Sequence, residues 1–112
     1  MLKLSLRKRY FDAIKSGIKP VEGRLNDDEF KHVTRGMQIC FTSEETGETL
    51  LCAIESMHLY FDFATVLQTE GVQHMLPGIT NLQEAVEIYE SFPGYKDGVK
   101  EFGALALRIH LN

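Results

Sequence analysis

Only two cysteines are present, Cys40 and Cys52, and no Cys-x-x-Cys spacing occurs, which excludes a disulfide scaffold and a zinc-knuckle arrangement. The four histidines, His32, His58, His74 and His110, are isolated, with no pair at i, i+4, so neither a metal site nor another cofactor is expected. No apolar run approaches the ~20 residues that span a bilayer, so no membrane partner is expected either. Arg7, Lys8 and Arg9 follow the first apolar residues instead of preceding them, the reverse of a secretory leader. Repeats, low-complexity tracts and linkers are also missing. Together these absences point to a soluble, cytoplasmic protein.

What is present suits one globular domain over residues 1–112. The chain is 44% hydrophobic, enough to bury a core and too short for two domains. A net charge of −4 hides an asymmetry. Residues 1–24 hold seven basic residues against Asp12 and Glu22, a local balance of +5, and the remainder carries five against fourteen, or −9. An acidic protein gains little from general attraction to phosphate, yet a local basic surface can hold a short single-stranded segment. The plainer alternative is a basic helix facing water.

Periodicity sets the expected elements. Leu2, Leu4 and Leu6 alternate as in a half-buried strand, and a short helix follows with Leu6, Tyr10, Ala13 and Ile14 on one stripe, ending at Ser16-Gly17. Lys19 to Leu25 reads as extended. A hairpin joins Met37–Thr42 to Glu48–Leu59 across the polar residues 43–47. If its turn centres on Thr46, Cys40 faces Cys52, and a cross-strand disulfide becomes conceivable, although a reducing cytosol favours free thiols. Asp62 and Asn81 are candidate helix caps, the first before Phe63, Val66 and Leu67, the second before Leu82, Ala85, Val86 and Tyr89. Leu105, Leu107, Ile109 and Leu111 alternate in a last strand. The predicted class is α+β, a small barrel-like mixed sheet of about five strands with two or three helices. The antiparallel hairpin argues against a doubly wound sheet.

One segment gathers chemistry: Gly17-Ile18-Lys19-Pro20-Val21-Glu22-Gly23-Arg24. On an extended chain Glu22 and Arg24 share a face, with Lys19 at the strand's entry. Arginine offers a fork for phosphate or a carbonyl edge, glutamate accepts from base amino groups, and a lysine shifts its pKa when buried. The alternative is a structural ion pair on a sheet surface.

The motif Gly-x-Lys-x-x-Glu-x-Arg, carried by Gly17, Lys19, Glu22 and Arg24, resembles that of the ASCH domain family within the PUA-like group. The resemblance continues through Arg35-Gly36, Thr46-Gly47-Glu48, Tyr60-Phe61-Asp62-Phe63, Leu76-Pro77-Gly78 and Phe102-Gly103-Ala104-Leu105-Ala106-Leu107, in order along the chain. It implies a PUA-like β-barrel of five or six strands with a cleft that binds RNA or a modified nucleoside. Lys19, Glu22 and Arg24 are then the ligand-binding residues, joined by Tyr10 and Lys15 from the preceding helix. Tyr10 either stacks on a base or packs in the core with Ile14. Some small family members are amidohydrolases acting on N4-acetylcytidine with a lysine and a threonine nucleophile. Here Lys19 is kept and Glu22 stands at the threonine position, where a carboxylate, with a lysine of lowered pKa, could serve only as a general base on water. Glu70 is a candidate helper carboxylate. RNA cleavage by the same cluster, and a protein-interaction module built on Phe61, Phe92 and Tyr95, are the other classes the resemblance admits.

Overall fold

A computed structural model describes residues 1–112. In chain order the elements are β1 (Leu2–Leu6), α1 (Lys8–Lys15), β2 (Val21–Leu25), a 3-10 turn (Asp28–Phe30), β3 (Gln38–Ser43) and β4 (Thr49–Tyr60), then α2 (Phe63–Glu70), α3 (Val72–Met75), α4 (Leu82–Glu90), α5 (Tyr95–Phe102) and β5 (Ala104–Leu111). The five strands form one sheet in the order β1-β3-β4-β5-β2, antiparallel except for the β1–β3 pair. A bulge between Ile54 and Ser56 bends the long strand β4, and the sheet curls into a half-barrel. This is the PUA-like α+β fold, with five helices where two or three were expected.

Two cores follow from the alternation of the strands. Leu105, Leu107 and Ile109 point into the concave side, where they meet Leu4, Leu6, Ile39, Phe41 and Ile54 with Phe11 and Ile14 of α1. Ala104 and Ala106 point outward, and their small side chains let Phe63, Val66, Ala85 and Tyr89 of the helical layer pack close. Asp62 and Asn81 cap α2 and α4, accepting from the amides of Thr65 at 2.8 Å and Glu84 at 3.0 Å.

The helix α5 escapes a sequence reading because Gly98 stands mid-helix. A Cβ there would lie 2.7 Å from Leu25 Cδ1, so the glycine is what allows α5 to press against β2. The hairpin register also differs from the expected one. Cys40 pairs with Leu51 and Ile39 with Cys52, because the turn centres between Glu45 and Thr46. A slip of one residue reverses the face. Cys52 therefore lies in the core, Cys40 on the opposite side, and both are free thiols. Burial, with Cys40 adding to it, pushes the Cys52 thiol up to about 11. No helix is long and apolar enough to cross a membrane.

Candidate functional site

The half-barrel does not close. Its edge strands β1 and β2 face each other across a seam, and a cavity of about 400 Å³ opens there. Ser5 and Leu6 form one lip, Glu22, Gly23 and Arg24 the other. Tyr10 of α1 and the aromatic turn between α4 and α5, with Tyr89, Phe92 and Tyr95, supply the walls. The volume lies within the range of small-ligand sites, about 300–1,000 Å³.

Glu22 and Arg24 stand opposite Leu107 and Leu105 and so point to the concave face, not to an open sheet surface. Lys19 is 2% exposed and Glu22 5%. The Lys19 ammonium donates to three acceptors: the Val21 carbonyl at 2.9 Å, the Met75 carbonyl at 2.5 Å and Glu22 Oε1 at 3.2 Å. Arg24 Nε donates to Glu22 Oε2 at 2.8 Å, and Arg24 Nη2 reaches across the seam to the Ser5 carbonyl at 3.0 Å. A buried charge set survives only when every member is paired in this way.

The electrostatics follow from burial and pairing. Burial alone would push the Glu22 carboxyl up, but Lys19 and Arg24 outweigh it and hold it below its ordinary value. Burial draws Lys19 down, with Glu22 opposing. Burial also pulls on Arg24, and the Glu22 carboxylate more than reverses it. A neutral Lys19 amine has two N–H groups for these three acceptors and would leave one of them short of a donor, so the geometry is that of an ammonium acting as a fixed strut.

The remaining expected residues divide. Tyr10 borders both cores and also lines the cavity, with Lys19 Nζ 5.7 Å and the Arg9 guanidinium 6.0 Å from its ring centre. Lys15 stands apart: it pairs with Glu48 at 2.5 Å on the surface and does not line the cavity. Five residues along a helix rotate by about 140°, so Tyr10 and Lys15 cannot share a face. Glu70 lies outside the cavity as well, accepting from Arg108 at 3.1 Å and from the Tyr60 hydroxyl. Burial and that bond push the Tyr60 hydroxyl up to about 12. Phe92 and Tyr95 pack with Phe63 and Tyr89 in one aromatic cluster, while Phe61 alone is 87% exposed. The structure brings no three His, Cys, Asp or Glu side chains together as a metal-holding group.

Three contributors were not singled out from sequence. Arg7 lines the cavity and lies 5.4 Å over the Phe92 ring, but in the sequence it is one of three adjacent cations. Tyr89 falls on the apolar stripe of α4, where it reads as core. Gly23 carries no side chain to attract notice, yet a Cβ there would lie 2.8 Å from the Tyr89 hydroxyl.

The ASCH domain model matches residues 4–111. The chain belongs to the ASCH domain family. Its fold is similar to the crystal structure of hypothetical protein PH0355, at 30% identity and a TM-score of 0.89, covering 99% of this chain and 98% of that one. Protein PF0455 from Pyrococcus furiosus, solved by NMR, matches at 25% identity and 0.78 over 98% and 96% of the two chains. The ASCH protein from Zymomonas mobilis shares the fold at 15% identity and 0.64, over 96% of this chain and 65% of that one. Among curated proteins none matches in sequence. The ASCH fold is associated with RNA binding. In this ASCH domain the Lys-x-x-Glu-x-Arg segment is the lip of the seam cavity.

Proposed function

We propose that this protein binds RNA or a modified nucleoside in the seam cavity. The observation that carries the reading is the pairing of aromatic walls with a free cation, Arg7, at the seam opening, with Arg9 beside it on a neighbouring hollow that shares Tyr10. Lys8, Lys15, Lys19 and Arg24 each pair with a carboxylate, whereas Arg7 and Arg9 pair with none and lie over the rings of Phe92 and Tyr10. Aromatic faces suit bases, and unpaired guanidinium groups beside them suit the phosphates that follow. Arg24, with Nε and one Nη2 hydrogen engaged, keeps further N–H donors for a carbonyl or phosphate oxygen.

Hydrolysis of an N4-acetylcytidine-like nucleoside has weaker support. Both Glu22 oxygens are already held by cations and its pKa is lowered, which makes a weak base, and the Lys19 ammonium has all three protons engaged.

Fluorescence anisotropy with short labelled single-stranded RNA tests the reading. Binding at low salt should weaken steeply as salt rises, and Arg24→Ala should weaken it at least about tenfold, with N4-acetylcytidine left intact over the same incubation. Absence of binding to both RNA and nucleosides at low salt would overturn it.

A further inference from the structure

The parity of the β2–β5 ladder is fixed by two bonds at its ends. The Ile109 amide donates to the Pro20 carbonyl at 2.9 Å, and the Asn26 amide to the Gly103 carbonyl at 3.1 Å. Residues 20, 22, 24 and 26 therefore turn their main-chain groups toward β5, and Val21, Gly23 and Leu25 turn theirs outward into the seam. At one end Lys19 Nζ takes the Val21 carbonyl. At the other the Leu25 amide lies against the Tyr95 hydroxyl. Between them Gly23 is buried, borders the cavity, and has neither its N–H nor its C=O bonded to the protein.

Buried main-chain groups left without partners are rare, because each forfeits the hydrogen bonds it would make to water. A second polar group borders the same cavity. Tyr89 lines it, and a Cβ on Gly23 would lie 2.8 Å from the Tyr89 hydroxyl.

We propose that the Gly23 main chain reads the edge of a nucleobase. A base with a donor and an acceptor side by side, such as N3–H and the adjacent carbonyl of uracil, pairs in plane with the Gly23 C=O and N–H, and its ring lies between the aromatic walls. This rests on the nucleic-acid reading and specifies what that site recognises: an unblocked pairing edge. A peptide strand adding to the same edge is disfavoured by length. Lys19 and Tyr95 close the positions on either side, leaving one residue of free edge, which fits a ring and not a strand.

The test uses the intact protein labelled with nitrogen-15. Uridine and N3-methyluridine are titrated in parallel, with a short oligouridylate as the reference for nucleic-acid binding. Uridine should shift the Gly23 amide and slow its hydrogen exchange at least tenfold, and N3-methyluridine should bind at least tenfold more weakly. Equal binding of the two nucleosides, or oligouridylate binding with the Gly23 amide unmoved, would sink the edge proposal and leave the nucleic-acid reading standing. No binding by any of the three removes both. Equal protection of the Gly23 amide by an alternating apolar peptide would overturn the proposal in favour of strand addition.

Discussion

Arg24 is tied to Ser5 across the open seam of the half-barrel. Its Nη2 meets the Ser5 carbonyl at 3.0 Å while its Nε holds Glu22 at 2.8 Å, so one side chain on β2 braces β1 and the buried carboxylate together. Only a planar fork serves two acceptors in those directions. Arg24→Lys keeps the charge and gives up one of the two bonds. A loss of about 2 kcal/mol in urea unfolding is expected, together with weaker ligand binding. A variant as stable as the parent would show that the brace contributes nothing.

Acid should loosen the protein through Glu22. Its folded pKa lies below the ordinary 4.5 because Lys19 and Arg24 outweigh burial. As pH falls the unfolded chain takes up a proton first, so the stability from this group is complete above about 4.5 and drains away as pH descends through the folded value. Glu22→Gln cannot titrate and should flatten that part of the stability profile. At neutral pH it should unfold about 3–5 kcal/mol more easily, since Lys19 is left buried without its counter-charge. An unchanged acid limb in urea titrations at stepped pH would contradict the assignment.

Arg7 and Arg9 are expected to act through charge and not through the fold. Replacing both with alanine should make the plot of log affinity against log salt shallower by about 1.4, the contribution of two phosphate contacts on a single strand. Their stability cost should stay within about 0.5 kcal/mol each, as for other surface positions. A slope identical to the parent's would place the phosphates elsewhere.

Glu70 separates a structural carboxylate from a functional one. It holds Tyr60 and Arg108 on the helical side of the sheet, away from the cavity. Glu70→Gln should cost about 1–2 kcal/mol of stability and lower the Tyr60 titration midpoint followed by tyrosinate absorbance, with RNA affinity unchanged. A loss of binding without a loss of stability would return Glu70 to the site.

How much could be read from sequence depended on the range of the interaction. The period of an extended chain is local, so Glu22 and Arg24 were placed on one face and Lys19 beside them, as the structure has them. Lys15 stands away from Tyr10 and the cavity because a helix turns its neighbours away from one another by a fixed angle. The cysteine register failed by half a step in the turn centre, a quantity that polar turn residues do not fix. Tyr89 and Gly98 were illegible for a different reason. Each owes its place to a partner distant in the chain, Gly23 for the tyrosine and Leu25 for the glycine. A tyrosine on an apolar stripe and a glycine in a short polar stretch carry no local mark of such contacts.

Strand β2 touches no sheet neighbour except β5, with Val21 beside Arg108 and Leu25 beside Ala104. The cavity lip is thus synthesised long before the one strand it pairs with. A nascent chain still lacking residues 104–108 carries the lysine, glutamate and arginine with no neighbouring strand to fix their register. Joining two segments so far apart must meet the entropy of closing the intervening loop before any contact rewards it, which makes the docking of β2 a late and slow event. Chains cut before residue 104 should therefore leave the lip without its paired strand, and the seam cavity should take shape only once β5 is made.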